Sequence, residues 1–420
     1  MLYEAMSITG ELIERGPADE ELLILKSFLK YTKTVLARQL EAAKNGAPIV
    51  GTHFAIPLEI YCGFDVVPIV FEVVNYTLSA LLPEGVERFY DISDSWGHPF
   101  HTCSSQKGIL GMTLDDLFKF DVLATPTAPC DNSIGSYPVI KRLYDKKFNK
   151  NTPLLLTDMP LYRNDRSYEY YGRELLKFRD DLGKNIGQEH DDDKFREAID
   201  INNKCLTCIG EINELKKLKP CPIESILNPC MTGVMAYMAG QPERLEFLEE
   251  VLEIAKKRAK KGERAHKGEE KFRSIWPNMS IFFDLAICEW FDRDLGMTIL
   301  FDIFNYIFYD KIEISQSTEQ IFEGLARQSM EFPMVRQSYN MDALMEDFVF
   351  LTREYDADCA IFTSHLGCKQ FHSVVQLLRE VLRDEVGIPM LTIELDVGDA
   401  RLTSIQTVKK EVRNFVNTLL

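Results

Sequence analysis

Two kinds of apolar spacing alternate along the 420-residue chain. Residues 20–45 carry apolar side chains three and four positions apart, which predicts an amphipathic helix, and Gly46 follows as a stop signal. Short uninterrupted apolar runs then alternate with helix-length amphipathic stretches; these runs lie at 48–54, 66–71, 121–125 and 153–157. Short, fully apolar strands separated by helices are typical of a parallel sheet covered on both faces.

The alternation stops over a long helical stretch at 168–218, interrupted near 183–187, and a charged helix is predicted at 249–273. It then resumes, with predicted strands at 297–304, 358–364 and 389–394 and predicted helices at 374–383 and 405–420. A chain of this length exceeds what one hydrophobic core usually supports. We therefore predict an α/β fold with two Rossmann/flavodoxin-like domains that contain parallel sheets, plus helical N-terminal and bridging segments. The expected division is 1–47 (N-terminal helical segment), 48–210 (first α/β domain) and 211–420 (second α/β domain).

Charge and cysteine content narrow the function. The net charge of −17 argues against a nucleic-acid groove, which needs a basic surplus, so small molecules or proteins are the expected partners. The first residues lack the features of a signal peptide, and no stretch is apolar enough to span a membrane, so we expect a cytoplasmic protein. In that compartment, ten cysteines are expected to be buried hydrophobic residues, metal ligands or redox groups and not disulfides.

Three cysteines stand in the same kind of place, directly after a loop or a predicted strand. Cys103 follows a loop rich in Gly, Pro and His, whereas Cys130 and Cys368 follow predicted strands. Ligands of open α/β sheets bind beyond the carboxyl ends of the strands, so these last two can meet despite their separation in sequence. Three thiolates suit a cubane cluster with one iron left open. Any single one can equally be a buried small hydrophobic residue, and the spacing alone does not decide.

Five segments resemble the 2-hydroxyacyl-CoA dehydratase D-component family, which includes subunits of 2-hydroxyglutaryl-CoA dehydratase and benzoyl-CoA reductase-like enzymes. The segments are Ile56–Pro68, Cys103–Gly108, Ala128–Asn132, Ser364–Cys368 and the tail Gly387–Phe415, which begins with Gly-Ile-Pro. The resemblance implies that Cys103, Cys130 and Cys368 bind one 4Fe-4S cluster per chain.

The resemblance also implies that Glu59 lies beside this cluster and acts as a general base. On sequence alone, Glu59 can equally cap backbone amides at a helix start. Thr52 and His53, just after Gly51, are candidates to contact the substrate oxygen, although such residues at a strand end are usually hydrogen-bonded locally.

An enzyme of this family is an iron–sulfur lyase of anaerobic metabolism that eliminates water from a 2-hydroxyacyl-CoA by a ketyl-radical mechanism. The resemblance implies an acyl-CoA substrate, a paralogous subunit in a heterodimer or heterotetramer, and a separate ATP-dependent iron–sulfur activator. The chain contains no G-x-x-x-x-G-K-[ST] phosphate loop, so the ATP site is expected elsewhere.

Three alternatives remain open at this point. A benzoyl-CoA reductase-type subunit reduces an aromatic acyl-CoA on the same scaffold. A double-cubane cluster, in a small-molecule reductase, needs further thiolates, for which Cys62, Cys288 and Cys359 are candidates; Cys62 stands where the family usually has a small apolar residue. The third alternative is a structural partner subunit without a working cluster.

Overall fold

A computed structural model describes residues 2–15, 22–82, 85–99 and 101–419 of the chain. The predicted helical positions 20, 21 and 420 lie outside this part. The rest of these two predicted helices, residues 22–45 and 405–419, lies in or next to observed helices.

Four parallel strands form the first sheet, in the spatial order β2-β1-β3-β4. Their bounds are β1 Ile49–Thr52, β2 Val67–Val70, β3 Val122–Pro126 and β4 Leu154–Thr157. Each strand lies inside the apolar run that predicted it or extends one residue beyond that run. Gly51 in β1 is required by packing, because a Cβ atom there would lie 2.2 Å from the ring of Phe71.

The second sheet repeats this arrangement. Its strands are β5 Phe272–Ile275, β6 Met297–Phe301, β7 Cys359–His365 and β8 Met390–Leu395, in the order β6-β5-β7-β8. In both sheets the first strand lies between the second and the third. The connections therefore diverge at the first and third strands, and this switch point is where open α/β sheets bind ligands.

Helices cover the sheets and connect them. Their bounds in chain order are α1 Leu2–Arg15, α2 Leu23–Lys44, α3 Phe71–Leu81, α4 Glu87–Ser95, α5 Ser104–Leu114, α6 Asp131–Phe148, α7 Asp165–Ile186, α8 Asp192–Leu215, α9 Leu227–Met238, α10 Pro242–Lys261, α11 Ala286–Trp290, α12 Thr318–Glu331, α13 Pro333–Ser338, α14 Met341–Glu354, α15 Lys369–Ser373, α16 Val375–Val381 and α17 Ile405–Val416. A 3₁₀ helix spans Leu58–Gly63, and π-helical turns span Phe291–Leu295 and Leu382–Val386. This α/β architecture with two parallel sheets confirms the predicted fold class.

The predicted helix at 249–273 is wrong at its end. Helix α10 ends at Lys261, and residues 272 and 273 belong to strand β5. Charge misled the prediction: the guanidinium of Arg273 is buried, where it donates to the carbonyl oxygens of Lys216 (2.6 Å) and Leu218 (3.0 Å). A charged residue in a short run can therefore belong to a buried strand when backbone carbonyls surround it.

The two sheets share one hydrophobic core. Between them, the ring of Tyr76 stacks on Phe282 with ring centres 4.7 Å apart, and the Ser79 hydroxyl donates to the Gly398 carbonyl at 2.6 Å. The predicted domain boundary at residue 210 stays a prediction; helix α8 runs through that position. No helix within the described ranges combines the length and the apolar character that crossing a bilayer requires.

Candidate cysteine site

Cys103, Cys130 and Cys368 line one cavity of about 40 Å³ at the switch points of the two sheets. Cys130 comes after β3 and directly before α6, while Cys368 comes after β7 and directly before α15. Cys103 directly precedes α5. Cys130 and Cys368 thus follow the third strand of their own sheets. The structure brings the three predicted cysteines together from loops up to 265 positions apart in sequence (103 to 368).

Backbone packing fixes the cysteine loops against one another. Gly367 lies so close to Cys103 that an added Cβ atom would be 2.4 Å from the Cys103 Cα atom. The Gly367 carbonyl accepts a hydrogen bond from the Asn132 side chain at 2.7 Å, which ties the Cys368 loop to the start of α6. These contacts join the two halves of the chain at the cavity itself.

Burial dominates the electrostatics of the three thiols. Burial raises the pKa of Cys103 well above its ordinary value, raises the pKa of Cys130, and raises the pKa of Cys368 to about 12. The negative charge that a Cys130 thiolate would carry further raises the pKa of Cys103 and of Cys368. Without a nearby cation, all three are protonated at neutral pH. A bound metal centre reverses this preference, because metal ligation deprotonates a thiol.

Cys103 has two polar neighbours. The Tyr76 hydroxyl lies 3.4 Å from its sulfur, and Nε2 of His365 lies 3.3 Å from it. Phe304, Met279 and further apolar side chains form much of the remaining wall. The cavity therefore combines three thiols with an environment from which water is largely excluded.

Glu72 is the carboxylate that sequence reasoning missed. It lies in the first turn of α3, is 7% exposed, and lines the cysteine cavity. Its Oε1 atom accepts hydrogen bonds from Gln106 (2.9 Å), Tyr137 (3.3 Å) and Ser133 (3.5 Å). Its Oε2 atom is buried and has no partner among the described residues. The only sequence signal was an acidic residue directly after a strand, and such residues usually interact with the helix dipole.

Thr52 and His53 lie behind this wall and are fully buried. The Thr52 hydroxyl accepts a hydrogen bond from Tyr61 at 2.7 Å. The Ala55 amide donates to Nδ1 of His53, so that Nε2 carries the ring proton and faces Glu72 Oε1 at 3.9 Å. Burial lowers the pKa of His53, which keeps the ring neutral.

Glu59 lines a neighbouring cavity of about 90 Å³, and not the cysteine cavity itself. It lies in the 3₁₀ helix, where its Oε1 atom is 3.6 Å from Arg244 Nη1. Phe54 and Met235 line both cavities and separate them. The carboxylate is therefore near the thiols but faces a separate space.

A third cavity, of about 580 Å³, continues this series outward. It shares Tyr309 and Gln328 with the cavity of Glu59, and the exposed rings of Phe308 and Phe350 lie at its edge. The Tyr309 hydroxyl is buried and has no hydrogen-bond partner in the part of the chain that the structure describes. Three neighbouring cavities thus lie between the exposed rings of Phe308 and Phe350 and the cysteines.

The other cysteines lie elsewhere. All ten fall within the described ranges, and only Cys103, Cys130 and Cys368 line this cavity. Cys62 accepts a hydrogen bond from Gln241 at 3.5 Å, Cys288 lies in α11, and Cys359 begins β7, at the opposite end of that strand from Cys368. In the described ranges, no three His, Cys, Asp or Glu side chains are arranged to hold a single metal ion.

Fold and cavity together define a class: a two-sheet α/β protein that gathers three thiols from distant loops around one buried space. Residues 54–419 match the family described as "2-hydroxyglutaryl-CoA dehydratase, D-component", and the chain belongs to this family. The predicted resemblance is confirmed, and the chain is a component of a 2-hydroxyacyl-CoA dehydratase-type enzyme. A comparison with curated proteins finds no match for it.

Proposed function

We propose that the chain is the iron–sulfur subunit of a 2-hydroxyacyl-CoA dehydratase, with Cys103, Cys130 and Cys368 as the ligands of one 4Fe-4S cluster. The observation that supports this most is that these three side chains line one buried cavity. Three thiolates leave one corner of a cubane without a protein ligand.

When bound, such a cluster supplies a one-electron relay and a Lewis-acidic iron. One electron on the thioester carbonyl gives a ketyl radical anion, which expels the hydroxyl group at C2 and makes the hydrogen at C3 acidic. Glu59 then takes the C3 proton in this proposal. Its support is burial beside Arg244 in a cavity that adjoins the thiols.

The acyl-CoA enters, in this proposal, through the three cavities in series. The outer cavity takes the nucleotide end, and the narrow middle cavity holds the extended arm that ends in the thioester. The Tyr309 hydroxyl and the Arg244 side chain, which has a buried unpartnered Nε, are available to the amide groups of that arm. Thr52 and His53 act as positioning residues through Tyr61 and Glu72.

The proposed partners are a paralogous subunit, in a heterodimer or heterotetramer, and a separate ATP-dependent iron–sulfur activator. The description of the family as a component supports the first of these. The proposed location is the cytoplasm, where reduced thiols persist.

Anaerobic purification followed by iron and sulfide analysis tests the cluster. We expect about four irons per chain. Incubation with 2-hydroxyacyl-CoA esters, activator and ATP should then produce an enoyl-CoA. Consumption of benzoyl-CoA instead would assign the chain to the ring reductases, and reduction of small molecules without either reaction would favour the double-cubane alternative. A chain that binds no iron in the presence of its partner would contradict the proposal.

A further inference from the structure

We propose that Glu72 contacts the 2-hydroxyl group of the substrate and supplies the proton that this group takes as it leaves. The inference rests on the proposed function and deepens it, because it gives the reaction a second carboxyl group, on the side of the thiols. Among the aspartates and glutamates of the described ranges, Glu72 is the one that lines the cysteine cavity.

The hydrogen bonds of Glu72 are strongly one-sided. Gln106, Tyr137 and Ser133 all donate to Oε1, and the ring N–H of His53 points to the same atom from 3.9 Å. Oε2 receives none of them and is buried. Buried polar atoms almost always have a partner, so an unpartnered oxygen at the wall of a cavity marks a place where a ligand completes the hydrogen bonding.

The same asymmetry indicates which oxygen of Glu72 carries the proton in the acid form. When every donor converges on one oxygen of a carboxyl group, the other oxygen is the one that can carry hydrogen. Glu72 in its acid form then donates through Oε2 into the cavity. Its place in the first turn of α3 and its four neighbours hold the carboxyl group in position, which is the preorganisation that proton transfer requires.

Atoms, electrons and protons balance in the proposed step. The C2–O bond of the reduced thioester breaks, and its electron pair leaves with the oxygen. That oxygen takes the proton from Glu72 Oε2 and departs as water, which leaves Glu72 as a carboxylate. Glu59 receives the C3 proton, and the enoyl radical anion that results returns its one electron to the relay that supplied it. One proton has then moved from Glu72 to Glu59, and exchange of both groups with solvent restores the starting state.

The first test measures binding, without turnover. The iron-loaded, unreduced complex with its partner subunit is titrated with lactoyl-CoA and propionyl-CoA, and with 2-hydroxyglutaryl-CoA and glutaryl-CoA. We expect the natural protein to prefer at least one hydroxy thioester over its deoxy counterpart by about tenfold. Glu72→Leu, which has no donor, should remove most of that preference, while the affinity for the deoxy thioester stays the same. Glu72→Gln should keep much of it, because its amide N–H takes the place of the acid proton at Oε2.

Glu224→Leu is the matched control. Glu224 is also a buried carboxylate with an unpartnered Oε2 within the described ranges, but it pairs with Arg258 away from the cavity. The preference should persist in this variant. If Glu72→Leu retains the full preference as well, the inference is wrong. If the natural protein prefers neither hydroxy thioester, the proposed function itself fails.

A second test separates the two carboxyl groups. Incubated with the enoyl-CoA in D₂O under reducing conditions, the enzyme exchanges the C3 hydrogen without any step at the hydroxyl group. Glu72→Gln should retain this exchange but hydrate the enoyl-CoA about 10²-fold more slowly, whereas Glu59→Gln should lose the exchange. Loss of exchange in Glu72→Gln with retention in Glu59→Gln would reverse the assignment and overturn the inference. If Glu72→Leu or Glu72→Gln binds no iron, Glu72→Asp replaces it, because it keeps the acid but withdraws it from the cavity.

Discussion

The two sheets have the same strand order but contribute different chemistry at the same topological position. Beside β1 and β3, the first half (residues 49–157) presents Cys130 and the unpaired oxygen of Glu72. Beside β5 and β7, the second half (residues 272–395) presents Cys368, and side chains that bond to one another fill the space above β5. The Trp276 N–H donates to the Thr363 hydroxyl at 2.9 Å, and the Asn278 side chain donates to the Thr363 carbonyl at 2.6 Å.

The comparison shows that two sheets with the same strand order can carry different functional groups at the same topological position. Each half provides a cysteine after its third strand, so the position of a ligand follows from topology. Within the described ranges, the unpartnered carboxylate oxygen that lines the cavity belongs to the first half, where internal hydrogen bonds do not close the switch point. The first half therefore carries the candidate acid, and the second half supplies a candidate ligand and a hydrogen-bonded wall.

The largest expected effect comes from the two equivalent cysteines. Cys130→Ser and Cys368→Ser should each prevent assembly of a stable 4Fe-4S cluster and abolish dehydration, because two thiolates are too few to hold it. Iron and sulfide per chain and the absorption of the purified protein measure this. Cys359→Ser, at the other end of β7, is the control and should keep its iron. Full iron content in Cys368→Ser would remove the second half from the proposed site.

The next effect concerns the backbone contact between the halves. Gly367→Ala forces a Cβ atom against the Cys103 backbone, and we expect a loss of about 3 kcal/mol in the free energy of unfolding, together with reduced iron binding. Denaturant unfolding and iron analysis check it. Gly210→Ala is the matched control: this helical glycine has open space around it, and the change should stabilise the protein by about 0.5–1 kcal/mol. Equal stability of Gly367→Ala and the natural protein would contradict the close approach.

A smaller effect is expected for the wall of the second half. Asn278→Ala removes a fully buried amide that donates to Thr363 and accepts from the Met279 amide at 2.8 Å. Stability should fall by about 2 kcal/mol, because buried backbone groups lose their partner. The preference for hydroxy thioesters should not change. A variant with normal stability and lost preference would instead place Asn278 in the substrate site.

The smallest effect is a pH dependence in the second half. Burial raises the pKa of Asp302 to about 6; Ser280, the Phe304 amide and Lys216 face the carboxyl group and partly oppose the shift. The folded state thus binds more protons than the unfolded state between about pH 4 and 6, and stability falls as pH rises through that window. Asp302→Asn should flatten this slope by about 1 kcal/mol per pH unit in denaturant unfolding. An unchanged slope would show that Asp302 does not set it.

Most of the fold followed from the sequence, because uninterrupted apolar runs predicted β1 to β4 and β6 to β8. Strand β5 did not, since Arg273 resembles a helix surface residue until the carbonyls that surround it are known. The three cysteines were predicted through family motifs, and the structure brings them together. Glu72 was missed because its meaning depends on the donors of α5 and α6, which meet it only after folding. The separate cavity of Glu59 is likewise a product of tertiary packing.

The contact between Gly367 and Cys103 restricts how the two halves of the chain can move and how the chain can be divided. Since these backbones touch at the cavity, the two halves cannot swing apart like a clamshell without pulling one thiol away from the other two. In the proposed function, entry of a large thioester therefore depends on side chains that move aside, such as the ring of Phe54, which lines both inner cavities. For the same reason neither half carries a complete thiol trio, and a gene split between the two sheets would yield two proteins that regain the site only by reassociating.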